Sequence, residues 1–168
     1  SPGISDAEAQ QLAHRLKVEA SDSHGNVSVG TGVAVGPGVI ATACHVTAPA
    51  TTVHVVSEGE RMQVASQRAQ VRRDLCLLDV PGASQVPVVA LRSTPLLPGE
   101  ELIALGYMLG AAPRLSNGTV LRLHRHDGAQ VIQSTTPFTS GASGGGLFDR
   151  DGRLAGLMAF RFRGGNNR

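Results

Sequence analysis

The chain has no tryptophan, one tyrosine and four phenylalanines, so aromatics make up only 3% of it. A core without large rings has to be assembled from Val, Leu, Ile and Ala. The same shortage argues against a surface on which nucleic-acid bases stack. Lysine is nearly missing too. Lys17 is the single lysine among 15 basic residues, and the arginines are scattered rather than gathered into a basic arm. With a net charge of +2 there is no electrostatic footprint for nucleic acid. No apolar run approaches the about 20 residues that a membrane helix needs, so no membrane span is expected. Ser1-Pro2-Gly3-Ile4 does not read as a signal peptide. Cys44 and Cys76 are the only cysteines, too few for a zinc finger or a disulfide-rich scaffold.

What the chain does have is glycine, 21 residues of it, together with short apolar runs. Residues 5 to 16 read as a short helix capped by Ser5 or Asp6, with Ala9, Leu12, Ala13 and Leu16 near helical spacing. Its apolar face is narrow and suits packing on the main body or on a partner chain, including a second copy. Beyond it the pattern is strand after strand. Val27–Val29 and Val33–Val35 flank Gly30-Thr31-Gly32, and Gly36-Pro37-Gly38 is a turn signal. Val39–Ala43 is a strand that delivers Cys44 and His45. Thr52–Ser57 and Met62–Ala65 read as a hairpin around Glu58-Gly59-Glu60, and Leu75–Val80 as a further strand ended by Pro81-Gly82. Later candidates are Val86–Leu91, Glu101–Leu105, Gly118–Leu123, Val131–Ser134, Gly145–Phe148 and Leu154–Phe160. Short strands at such regular spacing predict an all-β barrel or sandwich.

The strongest local motif is Gly141-Ala142-Ser143-Gly144-Gly145-Gly146. A nucleophilic serine needs a tight turn and room for substrate backbone beside it, which glycines provide. Its transition state needs backbone N–H groups aimed at the developing oxyanion, and those of Gly141 and Ser143 are placed to supply them. A serine hydroxyl also needs a base. Of six histidines, His45 is the one that ends an apolar strand beside a turn, where a rigid scaffold presents reactive groups. The base in turn needs an acid to fix its tautomer. Asp74 opens the apolar segment Leu75-Cys76-Leu77-Leu78, whereas Asp79, an odd number of residues along, points to the opposite face. His124-Arg125-His126-Asp127 reads as an exposed hairpin tip rather than a metal site, because a third and fourth ligand are not apparent.

Thr42-Ala43-Cys44-His45-Val46, Asp74-Leu75-Cys76-Leu77-Leu78 and Gly141-Ala142-Ser143-Gly144-Gly145 resemble the three motifs of trypsin-like serine peptidases, most of all the bacterial HtrA/Deg-type protease domain. Their order is that of chymotrypsin, not of subtilisin or the α/β-hydrolases. The resemblance runs from about residue 16 to residue 163. It implies the chymotrypsin-like fold: two six-stranded β-barrels, here preceded by the short N-terminal helix. One protease unit is expected, with halves over about 17–90 and 91–168, and no PDZ domain fits in the few residues beyond it. The resemblance implies a serine endopeptidase with catalytic residues His45, Asp74 and Ser143, acting on protein or peptide without a cofactor. An esterase with the same triad, or a binding module that keeps the fold without turnover, are the alternatives. Vertebrate trypsins carry an Asp just before the serine to receive a new amino terminus. Ala142 stands there in this chain, so other contacts must order the turn.

By position the substrate pocket is lined by Phe138, Thr139, Ala159, Phe160 and Arg161. Pro137 stands where trypsin has its pocket Asp, so a Lys/Arg preference is not expected. A small or medium apolar side chain is, with an acidic one as the other option through Arg161 and Arg163. If His45 and Asp74 hydrogen-bond, the segments carrying them are neighbours and Cys44 and Cys76 come within disulfide range. Two buried thiols are the alternative. A bridge would imply an oxidising compartment such as the bacterial periplasm, or secretion.

Overall fold

The computed structural model describes residues 16–48, 50–107, 113–126, 129–136, 142–159, 162–163 and 166–167. The first half supplies β1 (Lys17–Ser21), β2 (Val27–Thr31), β3 (Val33–Gly36) and β4 (Val39–Ala43), then one helical turn, α1 (Cys44–Thr47). β5 (Thr52–Ser57), β6 (Glu60–Gln63), β7 (Ser66–Gln70) and β8 (Leu75–Asp79) complete it. The second half holds β9 (Glu101–Tyr107), β10 (Pro113–His126), β11 (Ala129–Ser134), β12 (Gly146–Phe148) and β13 (Leu154–Leu157), then the two-residue strands β14 (Phe162–Arg163) and β15 (Asn166–Asn167).

The all-β class holds, but two six-stranded barrels are not what these strands form. Among the described residues there are two four-stranded sheets, β2-β1-β5-β6 and β3-β4-β8-β7, one five-stranded sheet, β11-β10-β9-β12-β13, and the ribbon β14-β15. One physical reason is Pro87, which has no N–H to donate. The expected strand Val86–Leu91 makes no ladder; Leu91 forms only an isolated bridge to Leu154. The segment instead bonds to β3 through Val89 N–H to the Ala34 carbonyl and to β13 through Leu154 N–H to the Ala90 carbonyl. The α-helix among the described residues is also mid-chain, at Cys44–Thr47, rather than N-terminal. Residues 5–15 of the expected N-terminal helix lie outside the described residues. Leu16 is described, and it is not helical: it is fully buried and accepts a hydrogen bond from Gly32 N–H.

Alternation explains the layering. Val18 and Ala20 of β1, and Cys76 and Leu78 of β8, face inward while their neighbours face out. The first core gathers Leu16, Val18, Ala34, Ile40, Val55, Leu78 and Val80. The second gathers Val33, Val89, Leu105, Phe148 and Leu154. β3 serves both, with Ala34 in one core and Val33 in the other. Phe148 is the largest fully buried side chain among the described residues.

Arg92 fastens the segment that leads into β9. Its guanidinium makes two 2.9 Å bonds to the Glu100 carboxylate, reaches Asp149 at 3.4 Å, and donates to the carbonyls of Thr94 and Pro95. The bond from Arg92 is the main reason that the Glu100 carboxyl sits below its ordinary range. Asp149 is buried and Arg92 nearly so, and removing the cation leaves the buried carboxylate the backbone N–H groups of Asp151 and Arg153 but takes away the charge that neutralises it. Arg92→Ala should lower unfolding free energy by about 3 kcal/mol in a urea titration.

Candidate active site

Asp74 follows the 3₁₀ turn Val71–Arg73 and adopts the left-handed region, φ +55°. Aspartate tolerates that conformation better than most residues. The turn aims its carboxylate back at α1, and the two oxygens split the work. Oδ1 accepts the His45 backbone N–H at 2.8 Å, and Oδ2 lies 2.6 Å from His45 Nδ1. The Asp74 carbonyl accepts Cys44 N–H at 3.1 Å. Base and acid are thus joined through both side chain and backbone. Asp79 sits at the exposed far end of β8, bonded to Ser66 and Arg68.

A disulfide joins Cys44 and Cys76, with Cα atoms 5.0 Å apart. It links the residue before His45 to one two residues after Asp74, both half-cystines being 2% exposed. Closing a loop of 32 residues' separation lowers the entropy of the unfolded chain by about 4 kcal/mol equivalent.

On the other side of the imidazole, His45 Nε2 lies 3.0 Å from Ser143 Oγ. Exposure falls sharply across the site. The His45 side chain is 41% exposed and that of Asp74 5%, while Ser143 is 1% exposed. With Nδ1–H given to the carboxylate, the Nε2 lone pair is left for the serine hydroxyl. The buried carboxylate also lies directly behind the ring, on the side away from the serine.

The serine turn is held by contacts that need no charged amino terminus. Gly144 N–H donates to the Met158 carbonyl at 2.7 Å, Gly145 N–H to Ala142 at 2.9 Å, and Thr31 N–H to the Ser143 carbonyl at 2.8 Å. Ala142 is buried with Ala104, Leu147 and Met158. Gly144 has φ +88°, and a Cβ there would run into the Thr31 carbonyl oxygen and Thr42 Oγ1. Gly144→Ala is therefore expected to cost about 3 kcal/mol in stability, from the left-handed backbone plus overpacking. A urea titration checks this.

Of the other expected site residues, Phe138, Thr139, Gly141, Phe160 and Arg161 lie outside the described residues. Ala159 is half-buried, directly after Met158. His124 is exposed on β10, and no metal-binding group of His, Cys, Asp and Glu occurs among the described residues. Thr31 and Thr42 stand in the sequence only as parts of longer motifs, with no role of their own to read, yet both are buried beside the serine turn. The available signal was a hydroxyl inside the apolar run Val39-Ile40-Ala41-Thr42-Ala43, since a buried hydroxyl needs a partner.

Residues 30–157 match the sequence profile of the trypsin-like peptidase domain, most of the chain and all three site residues. The chain belongs to the trypsin-like peptidase family. Its fold is also that of solved bacterial proteases. A serine endoprotease from Yersinia pestis superimposes with a TM-score of 0.82 at 22% identity, over 96% of this chain and 60% of that one. A protease from M. tuberculosis in its active form gives 0.80 at 20% identity, over 95% and 77%. The HtrA-type protease AlgW with a tripeptide gives 0.80 at 24% identity, over 92% and 54%. An anti-sigma-I factor from Acetivibrio thermocellus is 26% identical over 137 residues, 80% of this chain but only 19% of that relative's length. The HtrA-type likeness expected from the three motifs is present in the fold of this peptidase-family member.

Proposed function

We propose that the chain is a serine endopeptidase that cleaves peptide bonds through an acyl-enzyme. The observation that carries this reading is the continuous relay Asp74–His45–Ser143, with contacts of 2.6 and 3.0 Å. Ser143 Oγ attacks the scissile carbonyl while His45 Nε2 takes its proton. Asp74 holds the ring in the required tautomer. The N–H groups of Gly141 and Ser143 hold the oxyanion. His45 then gives the proton to the leaving amine, and water, activated by the same ring, clears the acyl group. One protease unit, with halves over about 17–90 and 91–168, performs this. The substrate is a protein or peptide. Phe138, Thr139, Ala159, Phe160 and Arg161 line its pocket, which takes a small or medium apolar side chain, or an acidic one through Arg161 and Arg163.

The disulfide supports a periplasmic or secreted location. No helix among the described residues is long and apolar enough to cross a membrane. Turnover of casein and of a peptide library tests the reading. Cleavage after apolar or acidic residues supports it, while hydrolysis of small esters alone would make the chain an esterase. A second reading, a regulatory module that keeps the fold without turnover, is favoured by the near-complete burial of Ser143. It predicts no hydrolysis of either substrate class.

A further inference from the structure

Among the described residues, two hydrogen-bonded routes join the β4–α1 segment, which carries the base, to the turn that carries the serine. One is the His45–Ser143 contact itself. The other runs through the end of β2. Thr42 Oγ1, on β4 three residues before His45, donates to the Thr31 carbonyl at 2.8 Å in a buried setting. Thr31 N–H donates in turn to the Ser143 carbonyl at 2.8 Å. Thr42 is fully buried and Thr31 1% exposed.

Packing makes the geometry tight. A Cβ on Gly30 would lie 2.9 Å from the Ser143 carbonyl oxygen and 2.7 Å from a Val46 methyl. A Cβ on Gly144 would meet both the Thr31 carbonyl and the Thr42 hydroxyl. The serine turn therefore rests directly on β2 and on the Thr42 side chain. Little room remains for it to shift without moving them.

From this we infer that Thr42 is a positioning residue, whose hydroxyl sets the separation of Ser143 Oγ and His45 Nε2 by fixing the Thr31 peptide against the serine turn. The inference rests on Ser143 being the nucleophile. Thr42 touches neither substrate nor the reacting atoms. It acts through Thr31, and what it controls is alignment. Valine at this position has nearly the same shape but no hydroxyl, so the Thr31 carbonyl loses this donor, and the end of β2 can shift together with the serine turn bonded to it. A misplacement of about an ångström at a reacting centre is enough to cost about 10²-fold in rate.

The test uses Thr42→Val and Thr42→Ser in the full chain, with two readouts. The first is the ¹⁵N resonance of His45 Nε2, which reports the contact with Ser143 whether or not the protein turns over. Thr42→Val should move that signal toward its position in Ser143→Ala, and Thr42→Ser should keep it near the parent value. The second is steady-state hydrolysis of a peptide substrate. Thr42→Val should lower kcat by about 10- to 100-fold with KM within twofold of the parent, and Thr42→Ser should restore kcat. A role confined to stability predicts a lowered Tm with the Nε2 signal and kcat unchanged, and that result overturns the inference. If the parent protein itself does not hydrolyse peptides, the endopeptidase reading fails separately. The resonance then decides alone, and an unmoved Nε2 signal in Thr42→Val rejects the positioning role.

Discussion

Ser143→Ala is expected to lower kcat/KM for a peptide substrate by about 10⁵-fold while the fold persists. The residue supplies the attacking oxygen, 3.0 Å from the only ring nitrogen that can take its proton. Losing one hydroxyl removes the nucleophile but leaves the turn intact. That turn is built from the backbone bonds Thr31 N–H to Ser143, Gly144 N–H to Met158 and Gly145 N–H to Ala142. Stability should therefore change by less than about 1 kcal/mol. The loss should fall on kcat with KM nearly unchanged, because the hydroxyl contributes to the transition state rather than to substrate binding. A comparable loss in Tm would mean that Ser143 is a structural residue.

Asp74→Asn should be the second largest effect, about 10⁴-fold in kcat near neutral pH. The reason lies in how the carboxylate is used. Both oxygens accept from His45, one from its backbone N–H and one from its ring. An amide has a single accepting oxygen. If that oxygen keeps the backbone N–H, the NH₂ faces Nδ1 and forces the lone pair there, placing the ring proton on Nε2 against the serine hydroxyl. If it keeps the ring N–H, the NH₂ faces the backbone N–H, and two donors oppose each other in a site that is 5% exposed. The first outcome gives the wrong tautomer and the second a strained α1. The disulfide and the Cys44 N–H bond to the Asp74 carbonyl hold the two segments together in either case. The protein should therefore fold, and the defect should appear in kcat. Steady-state kinetics beside far-UV circular dichroism separate the two.

The chemistry was easier to read in the sequence than the architecture. Ser143, His45 and Asp74 stand in residue types and an order that few other arrangements share, and the glycines around Ser143 have a physical necessity. Strand parity set Asp79 apart, but Asp74 sits in the left-handed turn before β8, and its choice rested on its order and spacing relative to Ser143. The architecture was harder where side chains carry little pattern. β7 (Ser66–Gln70) is exposed at every position. It exists because its backbone pairs with β8, and Ser-Gln-Arg-Ala-Gln gives no alternation to read. β1 (Lys17–Ser21) does alternate, with Val18 and Ala20 inside, but it lies where a helical reading of the preceding residues ran into it. Val86–Leu91 misled in the other direction: it is apolar enough for a strand, but Pro87 and its place between the halves make it a connector. Thr42 was in view as part of the histidine motif. Its role depends on a carbonyl eleven residues away, which local sequence does not display.

The central claim is that Ser143 is a nucleophile activated by His45 and held ready by Asp74. The most direct measurement is mass-spectrometric mapping of the adduct formed when the folded protein meets a labelled fluorophosphonate, with Ser143→Ala and Asp74→Asn in parallel. A single adduct on Ser143, absent from Ser143→Ala and strongly slowed in Asp74→Asn, is the predicted result. No adduct on the folded parent protein, or an adduct formed at the same rate in Asp74→Asn, would contradict it.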